Sequence, residues 1–137
     1  KILMILIPYY IARSDIHGMG VFSAVDLSVG DLVWRYDPKR DLIITLDEFR
    51  SLTSQRRKDV INHAQWYPNK KHFVLGSDGD YFMNHADDPT LSDHGDTMMA
   101  ARNLKKGTEL TCDYRVVHVL GFQPSREHGL VLEECMS

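Results

Sequence analysis

Residues 79–90 read GDYFMNHADDPT, and the reading of this stretch decides the fold. A short apolar run, Tyr81-Phe82-Met83, precedes an Asn84-His85 pair. The run predicts a short buried strand, and Ala86-Asp87-Asp88-Pro89-Thr90 predicts the turn that follows it. Asn84 and His85 therefore fall where a strand leaves a core, a common place for polar groups that hold a ligand. The plainer alternative makes Asn84 a turn cap and His85 a satisfied core histidine.

Working outward, residues 71–76 predict a strand, and Ser77-Asp78-Gly79 a tight turn into the stretch. Downstream, residues 97–101 predict a strand and Lys105-Lys106-Gly107-Thr108 a hairpin-like turn. Residues 109–114 alternate, which aims Leu110, Cys112 and Tyr114 one way and Glu109, Thr111 and Asp113 the other. Near the N-terminus, residues 11–26 read strand, turn, strand. Gly18 and Gly20 in the turn allow positive φ or a close approach. No helix pattern follows this GxG, so it is not the nucleotide fingerprint. Residues 32–36 predict a strand with Trp34 and Tyr36 on one face.

Thr45 and Glu48 form a capping box, which predicts a helix over residues 46–52. A second helix is expected over residues 55–65, with Val60, Ile61 and Ala64 inward and Arg56-Arg57-Lys58 solvated. Trp66-Tyr67-Pro68-Asn69 ends it. Residues 116–122 are apolar, and Pro124-Ser125 could open a C-terminal helix.

The chain has 137 residues, 43% hydrophobic and 26% charged, which suits one domain with a packed core. Sixteen basic against nineteen acidic residues give a net charge of −3. That argues against non-specific wrapping of nucleic acid and permits a basic partner. Cys112 and Cys135 form no CxxC and no Cys/His pair at zinc spacing. Asp93-His94-Gly95-Asp96 reads as a solvated loop. The opening KILMILIPYYIARS reads as a buried strand or strand pair. It fits a signal peptide poorly and is too short to span a membrane. No Met begins the chain, as in a trimmed sequence.

Three pieces stand in a fixed order: HGMGVFSAVDLSVGD, YFMNHADDPT and AARNLKKGTELTCDY. Together, over roughly residues 11–115, they resemble the SET domain, the family of protein-lysine methyltransferases that use S-adenosylmethionine. The resemblance implies a mostly β (α+β) fold, a β-clip of small curled sheets with a knot-like crossing. It implies one domain over residues 1–137, with a variable helical insert over about 39–70 and a closing segment over about 116–137. His17, Gly18, Met19 and Gly20 would bring backbone groups to the methionine end of the cofactor. Asn84 and the backbone of His85 would hold its amino acid part and adenine. Tyr81 stands where many members have Arg and joins the cofactor contacts. Tyr114 would be the catalytic tyrosine, reached by the substrate lysine through a narrow channel from the opposite face.

Two departures shape the expectations further. Thr90 stands where the family usually has Asn. No three-cysteine segment follows the domain, so no zinc is expected. The tail from Val116 should close the channel, with Phe122 at the adenine or the channel wall. Tyr36, Trp66, Tyr67 and Tyr81 are unranked candidates for the channel.

The implied activity is methyl transfer to a lysine of a protein, such as a histone tail. The expected partner is that protein substrate, with no direct nucleic acid and no membrane; an intracellular setting would follow from the activity. A homodimer could lend a closing segment. Two readings compete: a catalytically silent SET-like module that only binds peptide or partner, and an unrelated β-rich domain whose acidic loop, residues 87–96, holds a metal.

Overall fold

The computed structural model describes residues 5–37, 42–76, 79–122 and 126–137. The N-terminal hairpin joins β1 (Tyr9–Arg13) to β2 (Met19–Ser23), paired from Tyr9↔Ser23 to Arg13↔Met19. Its turn closes with Ser14 N–H donating to Gly18 O at 2.8 Å. Gly18 adopts φ +48°, which glycine reaches without a Cβ penalty. Ahead of it, Ile5 is fully buried and bridges to Trp34.

Next come β3 (Leu32–Arg35), β4 (Leu42–Thr45), α1 (Leu46–Arg50), α2 (Ser54–His63), β5 (Gln65–Tyr67) and β6 (His72–Leu75). The capping box at α1 is present, with Thr45 and Glu48 each bonding the other's backbone. A single 3-10 turn, Gly79–Phe82, leads into β7 (Asn84–His85), then β8 (Leu91–Asp93), β9 (Thr97–Ala100), β10 (Glu109–Cys112) and α3 (Arg126–Met136).

The strands form three small sheets in the orders β1-β2-β10-β7, β3-β9-β8 and β4-β6-β5. In the first, β10 lies between an antiparallel neighbour, β2, and a parallel one, β7. The parallel pairing sets Thr111 against Asn84 and Cys112 against His85. This brings the middle and late sequence pieces side by side. The first two sheets enclose one hydrophobic cluster, around Ile5, Val21, Trp34, Leu91 and Leu110. The third sheet and the helices build a second, around Phe49, Phe73, Trp66 and Cys135. The tail joins them: Val119 is buried in the first cluster and Leu120 in the second.

Several expectations change. Tyr81 and Phe82 lie in the 3-10 turn, closed by Met83 N–H to Asp80 O at 3.0 Å, and not in a strand. Phe82 is 42% exposed, so the apolar run marks a cleft wall and not a buried strand. In β10 the second face is buried too, since Thr111 is only 3% exposed. Its hydroxyl is satisfied by Thr90, so a polar residue can occupy the second buried face. Helix α2 stops at His63, and Gln65–Tyr67, expected in part as the end of the helix, pairs with β6. Strand β8 was not expected. The turn at Ser77-Asp78 and the opening at Pro124-Ser125 lie outside the described residues. Cys112 and Cys135 are both buried and free. No described helix is long and apolar enough to cross a membrane.

Candidate active site

A cleft of about 580 Å³ opens where the N-terminal turn, the end of α2, the 3-10 turn, β7 and the tail meet. The N-terminal turn contributes His17, Gly18 and Met19, and β7 contributes Asn84 and His85. Tyr81, Tyr114 and Phe122, also of the set expected from sequence, line it too. Gly20 alone of that set does not line the cleft. It is buried in β2, and a Cβ there would stand 2.5 Å from Glu109 Oε2. Its missing side chain makes room for the Glu109 carboxylate.

Glu109 matters because of Asn84, which is only 8% exposed. The Asn84 Nδ2 group faces three acceptors: His17 O at 3.0 Å, Met19 O at 3.1 Å and Glu109 Oε2 at 3.0 Å. The same carboxylate accepts from Ser14 Oγ at 2.7 and 2.9 Å. One amide thus ties the N-terminal turn to β7 and β10, and two backbone carbonyls are gathered at the cleft wall.

His85 is oriented from both ring nitrogens. Nδ1 accepts from Tyr114 N–H at 3.1 Å, so Nε2 carries the proton and donates to Asp87 Oδ1 at 2.7 Å. The Phe122 ring lies 4.3 Å from the His85 ring and meets Tyr114 edge-on at 5.9 Å. The Phe122 ring, supplied by the tail, gives the cleft a flat apolar wall beside His85.

Tyr114 donates its hydroxyl to Met83 O at 2.6 Å. Burial, with the nearby Cys112 adding to it, pushes its phenol well above the ordinary value. The phenol therefore stays neutral, with its oxygen lone pairs available as acceptors. Burial likewise pushes the Cys112 thiol up to about 12, so it is no nucleophile.

A second, narrower pocket of about 60 Å³ abuts the cleft. Its walls include Trp34, Met83, Met98, Cys112 and Val119, with Asp80 as an acidic group. Both cavities share three residues: His63, Tyr81 and Tyr114. The sequence reading missed His63 and Asn62, which the helical insert brings to the cleft. An Asn-His pair at a helix end carries no motif; only the folded insert reveals it. Of the unranked aromatics, Tyr81 borders the narrow pocket, whereas Trp66 is buried in the second core. Tyr36 and Tyr67 pair with each other at 5.7 Å, with Lys70 Nζ over both rings.

Among the described residues, no group of three or more His, Cys, Asp or Glu is placed to hold a metal. In the acidic loop, Asp87 instead accepts from His85 and lies 3.6 Å from Arg115, and Asp88 pairs with Arg102.

The SET domain family profile matches residues 18–115. The chain belongs to the SET domain family, and it has the SET-domain fold. A search of the curated proteins finds no match. Among solved structures, the chain is similar to an apo form of ctPRC2, the Polycomb Repressive Complex 2 of Chaetomium thermophilum, with mutations in Ezh2. That similarity has 22% identity and a TM-score of 0.66, over 81% of this chain and 15% of that one. It is similar to ctPRC2 in an autoinhibited conformation bound to S-adenosylmethionine, at 20% identity and TM-score 0.62, over 91% and 16%. It is also similar to a candidate histone methyltransferase of Plasmodium falciparum, at 20% identity and TM-score 0.53, over 80% and 95%. The chain thus spans only a small part of the Polycomb chains and nearly all of the Plasmodium one.

Proposed function

We propose that this chain transfers a methyl group from S-adenosylmethionine to a lysine side chain of a protein, with a histone tail as a candidate substrate. The observation that carries the reading is the meeting of a wide cleft and a narrow pocket at His63, Tyr81 and Tyr114. In-line displacement needs such an arrangement, with one reactant on each side of a narrow junction.

The residues present fit the cofactor. The carbonyls of His17 and Met19, gathered by Asn84, suit an α-ammonium group. The Phe122 and His85 rings offer an apolar wall for a purine. When bound, S-adenosylmethionine supplies an electrophilic methyl group on a sulfonium. Asn84 holds the N-terminal turn in place, and the apolar walls of the narrow pocket strip water from the entering lysine. Desolvation disfavours its ammonium form and so exposes a nucleophilic nitrogen. Tyr114 donates its hydroxyl hydrogen bond to Met83 O, so its oxygen is left to accept an N–H of the amine and orient it.

The test is transfer of label from isotopic S-adenosylmethionine to a lysine peptide array, with Tyr114→Phe as control. Transfer that the variant lowers by about a hundredfold or more supports the reading. Cofactor-induced thermal stabilisation without any transfer would make the chain a silent binding module instead.

A further inference from the structure

We infer that His63 accepts the proton that the substrate lysine sheds before methyl transfer; this rests on the reading just given. A lysine arrives as an ammonium ion, and a nitrogen without a lone pair cannot attack. The carboxylate of Asp80 lines the narrow pocket and holds Trp34 Nε1 at 2.9 Å. A carboxylate there favours the charged amine, so desolvation is opposed and an acceptor is needed. Tyr114 cannot serve, because its phenol is neutral and its own proton is engaged with Met83 O. His85 cannot serve, because both its ring nitrogens are bonded, to Tyr114 N–H and to Asp87.

His63 is the imidazole that borders both cavities among the described residues. Its position is set from two sides. It is the last residue of α2, and its ring stacks on Tyr81 at 4.4 Å and 21°. The groups around it are Asp59 on its own helix, His17 from the N-terminal turn, and Tyr81 and Tyr114 at the shared junction, with Asp80 elsewhere on the wall of the narrow pocket. Burial lowers its pKa, Asp59 opposes that, and His17 adds to it. The imidazole is therefore neutral at pH 7 and has a free acceptor nitrogen. In the step itself, one N–H bond of the ammonium breaks, the electron pair stays on the amine nitrogen, and the proton passes to the imidazole. The imidazolium then returns it to water through the wider cleft.

The deciding experiment is the pH profile of kcat on a lysine peptide for the wild type and for His63→Phe, which keeps a stacking ring but no acceptor. The expected wild-type rate falls about tenfold per unit below the imidazole pKa. In His63→Phe the rate at pH 7 drops by roughly a hundredfold, the limb moves to alkaline pH, and added imidazole restores part of the rate. An independent readout is the His63 imidazole resonance in the cofactor-loaded protein, which should shift on addition of n-butylamine. An unchanged profile in both His63→Phe and His63→Gln, or a resonance that ignores the amine, overturns the inference while the methyltransferase reading stands. A wild type that transfers no methyl group at all overturns both.

Discussion

Thr90 and Thr111 exchange side chain for backbone across the centre of the molecule. Thr90 N–H donates to Thr111 Oγ1, and Thr111 N–H donates to Thr90 Oγ1, each at 2.9 Å. Thr90 also donates its own hydroxyl to Glu109 O at 2.9 Å. Both residues are buried, so none of these groups can turn to water instead. Thr90→Val keeps the shape but strips partners from Thr111 N–H and Glu109 O. Two orphaned backbone groups predict a loss of about 2–4 kcal/mol in urea unfolding. Thr90→Ser, which keeps the hydroxyl, should cost well under half of that.

Asn84→Ala should act on stability and on cofactor together. It leaves the His17 and Met19 carbonyls without this donor, while the Glu109 carboxylate keeps only Ser14 Oγ. The expected loss is about 1–3 kcal/mol in denaturant unfolding. Under the proposed function, the thermal shift expected from S-adenosylmethionine should vanish, because the N-terminal turn no longer gathers its acceptors.

Gly20→Ala probes the same site from behind. The new Cβ would stand 2.5 Å from Glu109 Oε2 and 3.1 Å from Ser14 Cβ. The carboxylate ends a flexible side chain, so it moves aside and the fold survives. Asn84 then loses one acceptor, and cofactor affinity measured by calorimetry should weaken by about threefold to tenfold. Combined with Glu109→Ala, the glycine substitution should add much less, since only the contact with Ser14 Cβ remains.

Gly121→Ala tests whether the tail holds its place as a wall of the cleft. Gly121 N–H donates to Ile61 O at 2.9 Å. A Cβ there would collide with the Asn62 side chain and stand 3.1 Å from the Ile61 carbonyl oxygen. Backbone cannot yield as a side-chain tip does, so the tail must lift. Stability should fall by about 1–3 kcal/mol, and Phe122, the next residue, should lose its place against His85. Quenching or NMR contacts at that ring pair would report it.

Asp93 carries a pH dependence of opposite sign to that of a paired carboxylate. Its Oδ2 accepts from Gly95 N–H, while Oδ1 is buried with no hydrogen-bond partner among the described residues. Burial raises its pKa against the smaller opposing effects of Gly95, His94 and His118. The folded state thus holds this proton more tightly than the unfolded chain. Its contribution is favourable at low pH and is lost as pH rises through the raised pKa. Asp93→Asn should therefore melt higher than the wild type at pH 7, and the gap should close below about pH 4.

Much of this site was legible because its residues are constrained by local chemistry. The capping box at Thr45 and Glu48 announces its helix, and the glycines of the first turn announce a hairpin. The convergence of Asn84, His85 and Tyr114 follows from three pieces held in order. What escaped depends on distant partners. The burial of Thr111 has no local signal, because the hydroxyl that satisfies it lies 21 residues away. Tyr81 and Phe82 have strand-like chemistry, yet a single turn bends them to the cleft. Gln65–Tyr67 reads as helix end until β6 offers it an edge. His63 has no signature at all, since its meaning comes from the insert folding against Tyr81.

The tail places consecutive side chains, Val119 and Leu120, in different hydrophobic clusters. It thus rivets the two halves at adjacent links of the chain, with almost no slack between them. Neither half can breathe open without tugging the other. Amide hydrogen exchange should accordingly find them opening as one cooperative unit, and severing the chain ahead of the rivet should loosen both at once.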